Sequence, residues 1–213
     1  MQSGTASIDS HLNFTEPAFL GRKVDFTFSG QYATTNHQHG HYDTSTLAFG
    51  PGLEFPLQDD MRLGLHYRLA QEILSNVDGP TFDDSVPPVM TSNGSSPVLF
   101  AEEGTEIEST AGYSLNYDSR LSAIDPNTGF VLKFGQDFTG LGGDATFLET
   151  TALAMAETKV AHEDVTLRAV LEGGALVGVS GYTTRVTDRF FGNGKIRGFA
   201  PNGMGPRDIG DQA

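Results

Sequence analysis

Leu47–Leu69 reads LAFGPGLEFPLQDDMRLGLHYRL, and two alternating runs flank a short polar turn, Gln58–Asp60. In the first run Leu47, Phe49, Leu53, Phe55 and Leu57 form one row against Ala48, Gly50, Gly52 and Glu54. In the second, Met61, Leu63, Leu65, Tyr67 and Leu69 oppose Arg62, Gly64, His66 and Arg68. Successive side chains of a strand point to opposite faces, so each run carries one apolar face and one polar or ionic face. This is a β-hairpin whose two apolar rows belong to the same side of a sheet.

The same alternation recurs along the chain. Ala6, Ile8, Leu12 and Phe14 form an early row, and Val24, Phe26, Phe28 and Tyr32 the next. Further on come Ile107, Ala111, Tyr113, Leu115 and Tyr117, then Phe130, Leu132, Phe134 and Phe138, then Val165, Leu167, Ala169 and Leu171. Between Phe147 and Thr158 the pattern is weak, but Glu149 and Glu157 share a row, which turns the Leu148–Ala156 row outward. In the clear strands no charge falls on the apolar row. A lipid-facing surface requires this, because a cation at mid-bilayer on a barrel's outer face costs about 2–4 kcal/mol. A soluble ligand-binding barrel gives the same alternation with its faces exchanged, so the period alone leaves both open.

Composition narrows the classes. Only 19% of the 213 residues are charged, the formal net charge is −14, and there is neither Cys nor Trp. Such an acidic balance argues against nucleic-acid binding, which needs a basic face. No run approaches about 18 consecutive apolar residues, so no transmembrane helix is expected, and the start MQSGTASIDS has no basic, apolar leader. The connections favour a membrane barrel. Short turns at Glu16–Lys23, Gln58–Asp60, Ser122–Gly129 and Lys159–Asp164 alternate with generally longer polar loops at Ala33–Ser45, Ser75–Glu106, Gly140–Asp144 and beyond Gly181. Gly140–Asp144 is a short exception on the long side. Short periplasmic turns opposite longer extracellular loops are the outer-membrane pattern. Aromatics at Phe14, Tyr32, Phe55, Tyr67, Tyr117 and Phe138 suit interfacial girdles at strand ends.

The last distinctive stretch is Asp188–Asp208, DRFFGNGKIRGFAPNGMGPRD. Its glycines permit backbone conformations closed to other residues and Pro201 and Pro206 fix others, while Phe190, Phe191 and Phe199 would have no place in a floppy linker. It resembles the inward-folded loop of the BamA family of outer-membrane assembly factors, the bacterial surface antigen family, whose signature is [VI]RG[FY]. Here Ile196, Arg197, Gly198 and Phe199 fill those four places. FTEPAFLGRKVDFTF resembles that family's turn between two early barrel strands, and YDSRLSAIDPNTGFVLKFGQDFTGLGGD one of its central hairpins.

The resemblance implies an all-β fold: an antiparallel transmembrane β-barrel segment of about eight strands, incomplete, in the bacterial outer membrane. Residues 1–180 would supply barrel strands with alternating short turns and longer extracellular loops, and residues 181–213 a lumen loop. The expected shape is an open curved sheet with that loop on its polar face, an internal piece of a sixteen-stranded barrel. By the same resemblance Arg197 is a lumen latch, reaching acidic residues on the inner wall of later strands. An Arg fork holds carboxylates bidentately, which suits that role. Asp188, Arg189, Phe190, Phe191 and Gly194 would shape the loop's entry, and Gly203, Gly205 and Pro206 its tight turns. The implied activity is insertion and folding of other β-barrel proteins. Client outer-membrane proteins, periplasmic lipoproteins and chaperones, and membrane lipid are the implied partners. A related secretion transporter carries the same loop motif and is the alternative.

Other motifs carry less. His37, His39 and His41 alternate, so an extended segment would place three imidazoles on one face for Zn²⁺ or Ni²⁺, with Asp43 a conceivable fourth ligand; a polar loop tip explains them equally. Asp83–Asp84 and Glu102–Glu103 sit in the longest connection without the spacing of a calcium loop, and read as solvated. His11, His66 and His162 show no partner spacing, and neither a G-x-S-x-G nor an H-E-x-x-H motif is present. No enzyme activity and no cofactor are expected.

Overall fold

The computed structural model describes residues 7–37, 42–79, 81–82, 90–92, 97–120, 128–160 and 165–190. The alternating runs form β1 (Ser7–Glu16), β2 (Asp25–His37), β3 (Tyr42–Gln58) and β4 (Met61–Ser75). Two short strands, β5 (Thr81–Phe82) and β6 (Met90–Ser92), pair only with each other and precede a short helix, α1 (Pro97–Glu102). Then follow β7 (Gly104–Asp118), β8 (Gly129–Thr139), β9 (Phe147–Val160) and β10 (Val165–Gly178). The eight long strands make one antiparallel sheet in the order β1-β2-β3-β4-β7-β8-β9-β10, and β1 and β10 are its two edges.

Register decides which face each residue takes, since a one-residue slip would exchange the faces. Across β4, β7 and β8 the pairs Leu63 with Leu115 and Leu115 with Phe134 place apolar rows on one side. Leu53 with Leu65 and Phe26 with Leu53 continue that side through β3 and β2. Phe134 pairs with Ala152 and Phe138 with Leu148, so the Leu148–Ala156 row does face outward, as the carboxylates on the opposite row require. Leu171 opposite Ala154 carries the face into β10. Charged partners meet on the other side: Arg62 with Glu54 at 2.6 Å, His66 with Asp137 at 2.6 Å, and Arg168 with Glu157 at 3.1 Å.

The apolar row does not close into a core. Leu12, Phe14, Leu47, Phe49, Phe130 and Leu132 remain exposed. The buried apolar residues are few and mostly small, among them Ala48, Ala70, Leu74 and Val131, and these sit on the ionic face. A soluble barrel with inward apolar rows would bury the large side chains. That reading is corrected: the greasy face looks out, as lipid contact demands.

Two connections differ from expectation. Ala33–Ser45 is not mainly loop, because β2 runs to His37 and pairs with β3 from Tyr42. Thr34, Thr35 and Thr44 have high β-propensity, yet both faces of the hairpin become polar here, so the ladder continues after the alternation fades. In the same way β4 runs to Ser75, which leaves Tyr67 within the strand, just below Leu69. Met61–Leu69 alone is about the length a tilted strand needs to cross the hydrocarbon, and Gln71 follows on the same row. The Ser75–Glu106 connection, read as solvated loop, contains α1 and the first turn of pairing in β7.

Candidate functional site

The end of the sheet where β4, β7 and β9 meet the longer connections carries a dense acidic group. Glu106 and Glu108 of β7 are both buried, and Glu72 of β4 lies opposite Glu106 in register. Alternation alone delivers them to one face, because all three sit on ionic rows. Arg68 answers part of this charge, reaching Glu108 at 2.9 Å and Glu72 at 3.4 Å. Burying carboxylates without such partners would be costly.

The chain supplies the remaining cations by turning back on itself after β10. Val179 N–H donates to the Thr146 carbonyl at 2.9 Å, and Tyr182 N–H to the Val179 carbonyl at 3.0 Å. Ser180 and Gly181, both at positive φ, make the reversal between them. Tyr182 then stacks on Phe147 with ring centroids 6.1 Å apart, and its hydroxyl donates to Glu106 Oε1 at 2.5 Å. Burial, with Glu106 alongside, raises the Tyr182 phenol far above its ordinary range, so it stays a donor.

Three residues on, Arg185 is buried, with Nη1 3.0 Å from Glu106 Oε2. Its Nη2 donates to the Glu102 carbonyl and, at 3.4 Å, to the Gly104 carbonyl. Val186 N–H donates to Glu102 Oε2 at 2.7 Å. A short 3-10 turn, Val186–Asp188, brings the Asp188 carboxylate back to accept from Arg185 N–H at 2.7 Å. Asp188 thereby completes a group with Glu72 and Glu108 whose carboxylate oxygens lie within 4.8 Å of one another. Burial first, and then Glu106 and Glu72, push Asp188 up to about 6, against the pull of the Arg185 N–H. Arg189 donates to the Thr184 carbonyl at 2.6 Å and stands 3.9 Å from Glu102. Phe190 lies over Gly174 of β10, where a Cβ would come within 2.6 Å of the ring.

Of the residues singled out in the sequence, Asp188, Arg189 and Phe190 are therefore part of this assembly. Phe191, Gly194, Ile196, Arg197, Gly198, Phe199, Gly203, Gly205 and Pro206 lie outside the described residues. So do His39 and His41, while the backbone of His37 ends β2 opposite Tyr42. His66, which has no nearby sequence partner, meets Asp137 across β7. Gly112 lies between them, where a Cβ would fall 1.6 Å from Asp137 Oδ1.

Sequence reasoning missed Arg185, Tyr182 and Glu106, and it read Glu102 as solvated, whereas the Glu102 carboxylate is largely buried and accepts from Val186 N–H. One signal was available: Glu102, Glu103, Glu106 and Glu108 crowd the start of β7 in a chain with only 13 Lys and Arg. Such crowding needs cations from elsewhere, and the next arginines after Arg168 are Arg185 and Arg189.

An Omp85 superfamily domain matches residues 2–213. The chain is 32% identical over 171 residues to the outer membrane protein assembly factor BamA of Neorickettsia risticii, covering 80% of this chain and 21% of that protein. Over 113 residues it is 34% identical to the sorting and assembly machinery component 50 homolog of Bos taurus, covering 52% of this chain and 24% of the relative. The sheet superposes on a crystal structure of BamA from Haemophilus ducreyi lacking POTRA domains 1–3, with a TM-score of 0.73. That match has 16% identity and covers 94% of this chain and 39% of the other, which shows a shared fold. The chain thus spans about a fifth to a quarter of the length of the curated relatives it matches. With its apolar face turned outward and its ionic face crossed by the returning segment, the chain belongs to the Omp85 superfamily and forms part of the wall of a bacterial outer-membrane β-barrel.

Proposed function

We propose that this chain supplies wall strands and the lumen loop of an outer-membrane assembly factor that folds and inserts other β-barrel proteins. The observation that carries this reading is the returning segment, anchored on the ionic face through Arg185 and Glu106, in a sheet whose opposite face carries charge only near strand ends, at Glu16 and Asp43. A face that holds buried ion pairs and a folded-back chain suits a wet lumen, and the apolar face suits acyl chains. Residues 181–213 then run inside the barrel, and Ile196–Phe199 is the latch, with Arg197 engaging carboxylates of the inner wall. Asp188, Arg189, Phe190, Phe191 and Gly194 shape its entry, and Gly203, Gly205 and Pro206 its turns.

The role is mechanical rather than catalytic. Strand edges offer unpaired N–H and C=O groups to which a client strand adds by hydrogen bonding. Client outer-membrane proteins are the substrates on this reading, with periplasmic lipoproteins, chaperones and membrane lipid as partners. The relatives named above are assembly components, which favours this role over secretion of a single passenger. Arg197→Ala in the full-length protein is expected to lower the yield of assembled outer-membrane proteins in cells and to weaken the heat-modifiable mobility shift of the barrel. Unchanged assembly together with an unchanged shift would overturn the latch assignment.

A further inference from the structure

We propose that Arg185 is a positioning residue: it clasps the segment leaving β10 to the α1–β7 junction, and so sets where the following loop enters the polar face. The proposal rests on the reading of residues 181–213 as a lumen loop.

The geometry carries it. Arg185 keeps only 11% of its side-chain surface and Glu106 only 8%, so this is a buried pair rather than a rim contact. One guanidinium gathers three acceptors from two elements: the Glu106 carboxylate and the Gly104 carbonyl of β7, and the Glu102 carbonyl of α1. An arginine's planar fork with five donors suits such a set, whereas an ammonium is a point charge on a flexible stem. The contacts around it are reciprocal. Tyr182 takes the other oxygen of Glu106, Val186 N–H takes a carboxylate oxygen of Glu102, and Asp188 returns to the Arg185 backbone. The clasp therefore spans Tyr182–Asp188 on one side and Glu102–Glu106 on the other. Ile196 follows Asp188 closely in the chain. Fixing Asp188 against the wall limits how far along the polar face Ile196–Phe199 can be presented. The helix and strand that hold the clasp also end the longest connection of the chain, so the insert between β4 and β7 is joined to the returning segment, with Arg185 making the largest share of the contacts and Tyr182 and Val186 adding to them.

These 213 residues contain no cysteine, so single reporters can be placed in them once any cysteine elsewhere in the full-length protein has been replaced. Val186→Cys would report the clasp and Ala200→Cys the loop beyond it, each read as the rate of labelling by a water-soluble maleimide on the full-length protein in its own membrane. Arg185→Ala should speed labelling at both positions on the order of tenfold, with the barrel still heat-modifiable. Arg185→Lys should restore part of the protection, because one ammonium can hold Glu106 but not all three acceptors. Where Arg185→Ala fails to fold, Glu106→Gln keeps the shape and the Tyr182 partner while removing the charge, and a roughly threefold rise is expected at both sites. Faster labelling at position 186 with no change at 200 overturns the positioning role, as does unchanged labelling at both. Fast labelling of position 200 in the parent protein, with 186 protected, sinks the lumen-loop reading instead and leaves the clasp itself standing.

Discussion

The two faces of this sheet obey different rules. On the outward face any apolar side chain meets the same surroundings, acyl chains, so Leu65, Leu115 and Phe134 need only be greasy and correctly phased. On the ionic face each group needs one particular partner, and the partners come from far along the chain. Arg68 finds Glu108 across 40 positions, and Tyr182 finds Glu106 across 76. The outward face is thus robust to which apolar residue is used and intolerant of charge. The ionic face tolerates charge and is intolerant of lost complementarity.

The sharpest way to break this contrast is to move a charge across the sheet. Leu65→Arg, on the outward row, should cost about 2–4 kcal/mol in lipid-embedded stability. Gln31→Arg, on the ionic row, should cost far less. Denaturant unfolding from vesicles measures both, and equal costs would mean that the outward face does not touch hydrocarbon. The same substitution at two glycines gives a finer comparison. Gly112→Ala forces a Cβ between Asp137 and His66 and should cost about 1–3 kcal/mol by overpacking. Gly173→Ala, on the outward row of β10 with nothing within 4 Å of its Cβ, should be near neutral. Matching melting temperatures for the two variants would remove the claim that glycine is used on the ionic face to admit a specific pair.

The smallest expected effect is a pH response of the returning segment. Asp188 is raised from 3.8 to about 6 when docked, so its neutral form is favoured in place. Docking gains from this group in full below about pH 4 and loses that gain as pH rises through about 6. The groups facing it are Glu72, Glu106, Glu108, Tyr182 and Arg185. A nitroxide at Thr187→Cys should therefore gain mobility between about pH 4 and 6, while the added change Asp188→Asn should flatten that profile. A parent spectrum independent of pH would show that the crowded carboxylates are neutralised some other way.

Much of the fold was legible because period two is a local property. The hairpin at Leu47–Leu69 exposed its faces directly, and even the weak β9 was oriented correctly by Glu149 and Glu157 sharing a row. Strand ends were not legible. β2 and β3 continue past the apolar band where both faces turn polar, and β4 continues through Ile73 and Leu74, apolar on both faces, so the alternation disappears although hydrogen bonding does not. Within the site, Asp188, Arg189 and Phe190 were singled out as shapers of a loop entry because they stand beside the IRGF stretch, and not for the contacts they make with Arg185, Thr184 and Gly174. Arg185 was not, because nothing near Thr183–Thr187 reveals a carboxylate waiting at Glu106.

By itself the sequence determined the strand character of the chain, the division of each strand into an apolar and an ionic row, and membership of a barrel family. Those follow from spacing between near neighbours, which the linear order preserves. Only the tertiary structure decided that the ionic rows of β4 and β7 pool their carboxylates at one end, and that the chain bends back after Gly178 to bring Arg185 and Tyr182 to them. Ion pairing depends on distances in space set by register and turn geometry, and separations of 40 or 76 residues leave no periodic trace to read.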